Sequence, residues 1–463
     1  MNMRIATAQQ MRETDRIAIQ ERGIPSTGLM ERAAAALAEE VMNLTGDCVG
    51  RVVCFCGPGN NGGDGVACAR QLLEAGFEVR CVLVGSHEKM TQDTRAMEAK
   101  LAAAGGKLEP FQPDDAEFAA WCLEANVMVD ALFGIGLNSD IRGDALTAVH
   151  MMNTCDIPVV SADIPSGVET DTGRVLGEAV RAARTVTFTL PKAGHYVGKG
   201  GLCTGKLTVA DIGIPKDLVD ALDCPVSTVE AADVKLPRRP LDAHKGDFGR
   251  CAILGGCVGY TGAPVLAAQA AVRSGAGLVS VGVPTPIWAV AAAKLDEAMP
   301  YPLPAGKEGQ LSLEAGEVIH HKLAGSGVCL IGPGLGRGNG VAAVVRHLLH
   351  EIHIPVILDA DGINALEGHI DVLDARQGLH TVLTPHDGEF VRLGGDLSDG
   401  DRLGAARRFA MEHSCCLVLK GHRTITAFPD GTAYINTTGN PGMAKGGSGD
   451  VLAGVILSLL GQG

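Results

Sequence analysis

Positive charge is in short supply in this chain: 39 Lys and Arg stand against 53 Asp and Glu, a formal net charge of −14. That balance argues against nucleic acid or an anionic membrane as the main partner, since both are gripped first by clustered Lys and Arg. Long apolar runs are also missing. The last one, Val451 to Leu460, is too short for a bilayer crossing, which takes about 20 residues. The amino-terminal stretch, with Arg4, Arg12, Glu13, Asp15 and Arg16, has no long apolar core and is not expected to be a secretory signal. Among 14 cysteines there is no Cys-x-x-Cys pair, so neither a zinc site nor a disulfide scaffold is expected. Cys54, Cys56, Cys251, Cys329 and Cys416 fall in apolar strand-like runs, as buried reduced thiols of a cytoplasmic enzyme would.

What the chain has is length and glycine. At 463 residues it exceeds what one hydrophobic core usually serves, so two domains are expected. Its 62 glycines are nearly twice the usual share and cluster between apolar runs, as ligand loops on an α/β scaffold do. The start reads as helical to about Val41. A strand, Arg51–Cys56, then runs into a glycine loop, a helix through Leu73 and a second strand from Glu78 to Val84, a unit that builds parallel sheets. Further strands are predicted at 127–132, 158–162, 185–190 and 207–210. Prolines cluster between Gly213 and Pro240, and the domain boundary is placed there, near residue 230, giving domains of about 1–225 and 226–463. A second α/β series follows, with strands at 250–254, 278–283, 328–331, 355–358, 381–383 and 417–419.

The most informative stretch runs from Asn440 to Asp450. Four glycines there let backbone N–H groups converge beside a helix start, which makes an anion hole suited to phosphate. Asp450 at its rim reads as a base that takes a proton from a hydroxyl attacking phosphorus. The competing reading is a plain glycine loop with Asp450 as a helix cap.

In the first half, Gly57-x-Gly59-x-x-Gly62 matches a dinucleotide fingerprint. The next strand ends in Val84-Gly85-Ser86, however, without the acid that would clamp a ribose. Asn60, Asn61, Gly62, Gly63 and Asp64 offer oxygens for a small cation and N–H groups for a phosphate, or else a tight turn with side-chain hydrogen bonds. Asp163 ends a predicted strand, where sheets present catalytic groups, with Ser166 just beyond it. Lys192 follows the next strand and is a candidate to steer phosphate or tune Asp163, though a surface lysine is the usual default. Asp130 is a candidate cation ligand, and Gly134 to Asp140 form a flexible loop on the same edge. Gly200-x4-Gly205-Lys206 is rejected as a phosphate loop, because Leu207 replaces the hydroxyl residue and a strand follows. In the second half, loops after predicted strands carry Gly332 to Gly336, Thr384 to Glu389 and Lys420 to Thr424. His386 could hydrogen-bond a substrate or merely start a helix. Lys420 and Arg423 are positive charges placed to meet nucleotide phosphates.

Taken together, these motifs resemble two known families in tandem. The first half is similar to NAD(P)H-hydrate epimerases through Leu29-Met30-Glu31, Asn60 to Gly65, Asp163 to Gly167 and Pro191-Lys192. The second is similar to ADP-dependent NAD(P)H-hydrate dehydratases through His244 to Gly249, Thr261 to Ala263, Gly332 to Gly336, Thr384 to His386, Lys420-Gly421 and Asn440 to Asp450. The resemblance implies an α/β fold of two three-layer sandwiches, the first Rossmann-like and the second ribokinase-like. It implies repair of NADH and NADPH that have gained water at C6 of the nicotinamide ring. One domain interconverts the R and S hydrates; the other dehydrates the S form at the expense of ADP.

Carried over by motif, Asn61, Asp130 and Ser166 would hold a potassium ion. Asn60, Asn61, Gly62, Gly63, Asp64, Gly134, Ile135, Gly136, Leu137, Asn138, Ser139, Asp140 and Asp163 would contact the hydrate. Asp163 is the favoured acid/base, with Lys192 near it. In the second domain Ala263, Gly334, His386 and Asp450 would face the hydrate, Asp450 as base. Lys420, Gly421, His422, Arg423 and Thr424 would bind ADP with its Mg2+, together with Asn440, Pro441, Gly442, Met443, Ala444, Lys445, Gly446, Gly447, Ser448 and Gly449. A homo-oligomer is expected, with hydrate and ADP as partners and neither nucleic acid nor membrane. Two rivals stay open: a ribokinase-class small-molecule kinase, and a first half that only senses nucleotide or binds protein.

Overall fold

The computed structural model describes residues 3–46, 49–236 and 238–463. The chain forms two compact units, one ending at Thr228 and one running from Val229, with the short stretch Gly400–Leu403 grouped with the first.

The first unit opens with β1 (Arg4–Ile5) and continues through β2 (Arg51–Cys56), β3 (Glu78–Leu83), β4 (Leu108–Pro110), β5 (Val127–Ala131), β6 (Val159–Ala162), β7 (Arg184–Phe188), β8 (Lys206–Ala210) and β9 (Val226–Val229). The strands β4-β3-β2-β5-β6-β7-β8 lie side by side in that order, all parallel. β1 pairs antiparallel with β9. Parallel strands need both faces covered, and their side chains alternate between two apolar clusters. Cys54, Cys56, Val129 and Ala131 meet Leu37, Val66, Leu72 and Met97 from helices on one side. Val53, Phe55 and Met128 meet Phe118, Ala148 and Met152 on the other. The result is a three-layer sandwich.

Two local expectations are corrected. The start is not one helical run: the helix Ala8–Arg16, capped by Thr7, is separated from the helix Ser26–Thr45 by a π-turn and by Gly23 and Pro25. Asn60 to Gly65 are not a loop either, because they form the first turns of the helix Asn60–Glu74. Their glycines serve close packing: an added Cβ would stand 1.7 Å from Gly57 O at Gly62 and 2.5 Å from Ala131 Cβ at Gly65.

The second unit contains β10 (Arg250–Leu254), β11 (Leu278–Pro284), β12 (Met299–Leu303), β13 (Val328–Ile331), β14 (Val356–Leu358), β15 (Thr381–Leu383), β16 (Cys416–Leu419), β17 (Ile425–Ala427) and β18 (Ala433–Asn436). They lie in the order β18-β17-β16-β15-β14-β13-β10-β11-β12. Those from β16 to β12 are parallel, and β17 and β18 are antiparallel additions. β12 was not foreseen because Pro300 and Pro302 interrupt it; prolines are tolerated at an edge, where it sits. Cys251, Ile253, Val281 and Leu330 pack on one face with Ala268 and Ala271 of the helix Gly262–Arg273 and with Ala453 and Leu457 of the helix Ser448–Gly461. Ala252, Leu254, Cys329 and Ile331, pointing the other way, are equally buried.

In each sheet the strand order reverses once, between β2 and β5 and between β13 and β10. Open α/β sheets present ligand crevices there, beyond the carboxyl ends of the strands. In the first unit a Cβ on Gly57 would stand 2.1 Å from Leu132 O, so the loops after β2 and β5 touch. In the second, Gly256 N donates to Pro333 O at 2.8 Å, which joins the loops after β10 and β13.

Candidate active sites

In the first unit the polar cluster beside the switch point is built around Asp163, one residue beyond β6. Its backbone takes φ of +62°, a left-handed conformation that costs a non-glycine residue about 1–3 kcal/mol. His195 secures the turn: its Nδ1 accepts from Lys192 N at 3.0 Å, so the proton sits on Nε2, which donates to Asp163 O at 2.7 Å. Burial, and then the charge of Lys192, push the His195 pKa down to about 4, which keeps the ring neutral.

Lys192 is 1% exposed, not the solvated lysine that is the usual default. Its Nζ donates to Asp163 Oδ1 at 2.6 Å and to Thr187 Oγ1 at 2.8 Å, and Thr187 donates to the same carboxylate oxygen at 3.1 Å. Burial alone would raise the Asp163 pKa, but the Lys192 charge and hydrogen bond outweigh it and hold the carboxyl below its ordinary range. Two half-buried acids behave in the opposite way. Asp15 is pushed up to about 6 by burial and the Asp163 charge, with Lys192 pulling back. Asp64 is raised well above its ordinary value by burial and by the charges of Asp163 and Asp15.

Beside this pair Asp130 is buried, and its carboxylate accepts from Ser161 Oγ at 2.8 Å, Ser166 N at 2.8 Å and Ser166 Oγ at 2.6 Å. Burial raises its pKa against the pull of those bonds. Asn61 packs against Gly134, whose added Cβ would stand 3.2 Å from Asn61 Oδ1, and Asn61 Nδ2 is enclosed without a partner. Arg12 donates to Ile135 O at 2.7 Å. Gly136, Asn138, Ser139 and Asp140 are exposed, as is Asn60 at the start of its helix, while Gly62 and Gly63 are buried in packing.

In the second unit three adjacent strand ends supply the polar groups. Asp359 follows β14, Thr384 follows β15 and Lys420 follows β16. Asp359 is 1% exposed, and its Oδ1 accepts from Thr384 Oγ1 at 2.7 Å and from Lys420 Nζ at 2.9 Å. Glu389, also buried, stands 3.8 Å from the same Nζ, and its Oε2 accepts from His386 N at 2.9 Å. His386 Nδ1 accepts from Gly388 N, so it caps the helix Asp387–Arg392, with Nε2 3.6 Å from Glu389 Oε1. The helix after the glycine loop starts at Ser448, not beyond Asp450, which places Asp450 in its first turn, with Gly447 as a left-handed cap at φ +90°. A Cβ on Gly449 would stand 3.6 Å from Lys420 Nζ. Burial, followed by the Asp359 charge, raises the Asp450 pKa to about 6 against the pull of Lys420.

The structure brings Ala263 and Gly334 together, an added Cβ on Gly334 standing 3.1 Å from Ala263 Cβ. Arg423 turns toward the loop after β18, donating to Thr437 O, while Gly421 and Thr424 bond each other across the turn. Asn440 Oδ1 accepts from Gly442 N at 3.0 Å, and Pro441, Met443, Ala444, Lys445 and Gly446 are exposed. His422 is exposed, its pKa lowered by burial and by Arg423. Among the described residues no group of three His, Cys, Asp or Glu forms a metal cluster, and the described cysteines are free thiols. Sequence reasoning missed Asp15, Thr187, His195, Asp359 and Glu389. Asp359 was findable, since it ends a predicted strand as Asp163 does. Asp15 carries no local signature, because only the fold brings its helix to Lys192.

The fold and these clusters define a two-unit α/β enzyme with a buried acid–lysine pair on one sheet and a glycine-loop aspartate on the other. A family described as NAD(P)H-hydrate dehydratase matches residues 251–463, and one described as YjeF-related protein N-terminus matches residues 26–194. The bifunctional NAD(P)H-hydrate repair enzyme Nnr of Moorella thermoacetica is 42% identical, covering 100% of this chain and 88% of that one. The same enzyme from Salinibacter ruber is 39% identical, covering 99% and 88%. Among solved structures, ADP/ATP-dependent NAD(P)H-hydrate dehydratase from Bacillus subtilis, co-crystallized with ATP/Mg2+, is 34% identical over 49% of this chain and 76% of that one, with a TM-score of 0.41. The chain belongs to the family of bifunctional NAD(P)H-hydrate repair enzymes.

Proposed function

We propose that residues 1–225 epimerise the R and S hydrates of NADH and NADPH. Residues 226–463 then dehydrate the S form with ADP, giving NAD(P)H, AMP and phosphate. The observation that carries the dehydratase reading is Asp450 in the first turn of a helix opened by a glycine loop, half-buried, with Lys420 beside the loop. Hydroxide is a poor leaving group, whereas a phosphorylated oxygen leaves readily. Asp450 takes the proton of the C6 hydroxyl as its oxygen attacks the terminal phosphorus of ADP, and AMP departs. Loop N–H groups and Lys420 meet the migrating charge. The ring nitrogen then expels phosphate, and C5 loses a proton to restore the double bond. Ala263, Gly334 and His386 face the hydrate; the loops Lys420–Thr424 and Asn440–Gly449 hold the nucleotide.

For the epimerase, a bond at C6 must break and re-form with a proton moved away and returned. Asp163, held ionised by Lys192, accepts it. Acids whose environments push their pKa values apart suit complementary roles, and Asp15 and Asp64 are the proton holders of this crevice. Asn61, Asp130 and Ser166 offer only oxygens to a cation, a set suited to a hard ion such as K+. The enclosed, unpartnered amide of Asn61 supports that fit, since turning it over presents Oδ1 instead. An ion held by these residues would supply positive charge to the site.

The test is Asp450→Asn with the pure S hydrate. Turnover is expected to fall by roughly 10²–10⁴-fold, as loss of a general base does. Turnover near that of the native chain contradicts the assignment.

A further inference from the structure

Asp359 has no part in the reaction as set out above, yet it is the most enclosed charged group of the second site. It stands one residue beyond β14, with Thr384 Oγ1 at 2.7 Å and Lys420 Nζ at 2.9 Å on the same oxygen. Its other oxygen faces the glycine loop, 4.0 Å from where a Cβ on Gly449 would lie. A Cβ on Gly332 would stand 1.8 Å from Asp359 O, so the backbone beneath the carboxylate is fixed by close packing with the loop after β13. Enclosing a carboxylate this fully is costly unless a paired charge and hydrogen bonds compensate. Here the compensation comes from the two residues at the neighbouring strand ends.

We propose that Asp359 is a positioning residue of the dehydratase: it anchors Lys420 beside the glycine loop and sets a fixed negative charge next to Asp450. The inference rests on Asp450 being the base. Lysine carries a point charge on a flexible stem, so an undirected Lys420 would pair directly with Asp450 and weaken it as a base. Tied to Asp359, with Glu389 3.8 Å from its Nζ, the ammonium is turned to the phosphate path instead. The charged groups facing Asp450 are Asp359 and Lys420. The helix Gly262–Arg273 packs along the helix of Asp450, and its one charged residue, Arg273, lies at the far end, where Gln462 bonds Ser274 O. Asp359 thereby acts on two residues at once, the phosphate-facing cation and the base.

The experiment is the pH dependence of kcat for the intact chain with pure S hydrate, Mg2+ and ADP. The native chain is expected to lose activity as pH falls through about 6, as Asp450 protonates. Asp359→Asn removes a like charge and frees Lys420, and both changes favour ionised Asp450. The acid limb should therefore move down by about one pH unit, with kcat above it falling roughly tenfold as the base weakens. Lys420→Met does the reverse and moves the limb up. An unmoved limb in Asp359→Asn, with only a lower kcat, overturns the proposal. Should that variant not fold, an unmoved limb in Lys420→Met overturns it equally. A native acid limb that survives in Asp450→Asn refutes the base assignment itself, a different result from either.

Discussion

Lys192 Nζ lies 2.6 Å from Asp163 Oδ1, and both side chains are withdrawn from solvent. Removing one member of such a pair strands a charge, which typically costs 3–5 kcal/mol, whereas replacing both by apolar groups costs far less. Lys192→Met is therefore expected to lose about 3–5 kcal/mol of first-unit stability in urea. Adding Asp163→Leu should recover much of that, and both proteins should be inactive as epimerases. Full epimerase activity in Lys192→Met contradicts the proposed site.

His195 gives a pH signature. Its folded pKa of about 4 lies below the ordinary 6.5, so between those values the unfolded chain binds the extra proton. Its contribution to stability is complete above pH 6.5 and is lost as pH falls toward 4, an effect of about 3 kcal/mol. Asp15, with a raised pKa, slopes the other way, so the readout is the difference between the native chain and His195→Gln. The native chain should lose about 3 kcal/mol relative to the variant across that window. A constant difference contradicts a buried neutral histidine.

Asp15 should show a trade between stability and activity. A carboxyl whose folded pKa is raised from 3.8 to about 6 loses stability as pH rises between those values. Asp15→Asn removes that loss, so at pH 7.5 the variant is expected to be more stable by roughly 2 kcal/mol while epimerising more slowly. A variant that is both less stable and fully active contradicts the placement of Asp15 in the site.

Gly62 tests the packing account of the Asn-Asn-Gly-Gly-Asp segment. In Gly62→Ala the new Cβ meets Gly57 O at 1.7 Å, a backbone atom that cannot swing aside. A loss of at least about 3 kcal/mol is expected, the upper range for overpacking. Unfolding at native denaturant concentrations contradicts it.

The sequence showed two open α/β sheets because parallel strands are continuous apolar runs, and their ends are marked by glycine, Asp163 and Lys420; the sandwich layering came from the family resemblance. Its blind spots have physical causes. The turns of Asn60–Gly65 look like a loop to any propensity argument, and only contact with Gly57, Met30 and Ala131 explains glycine in a helix. β12 hides behind Pro300 and Pro302. Asp15 sits on a helix with no motif of its own, and reaches Lys192 only through tertiary packing.

The most direct test of the account follows absorbance at 340 nm in a mixture of R and S hydrates with Mg2+, K+ and ADP, at early times before the hydrates interconvert unaided. Complete recovery of NAD(P)H is the predicted result, because the R form must be epimerised before it can be dehydrated. Recovery that halts once the S form is consumed contradicts an epimerase in the first unit, and no recovery contradicts the repair reading of both.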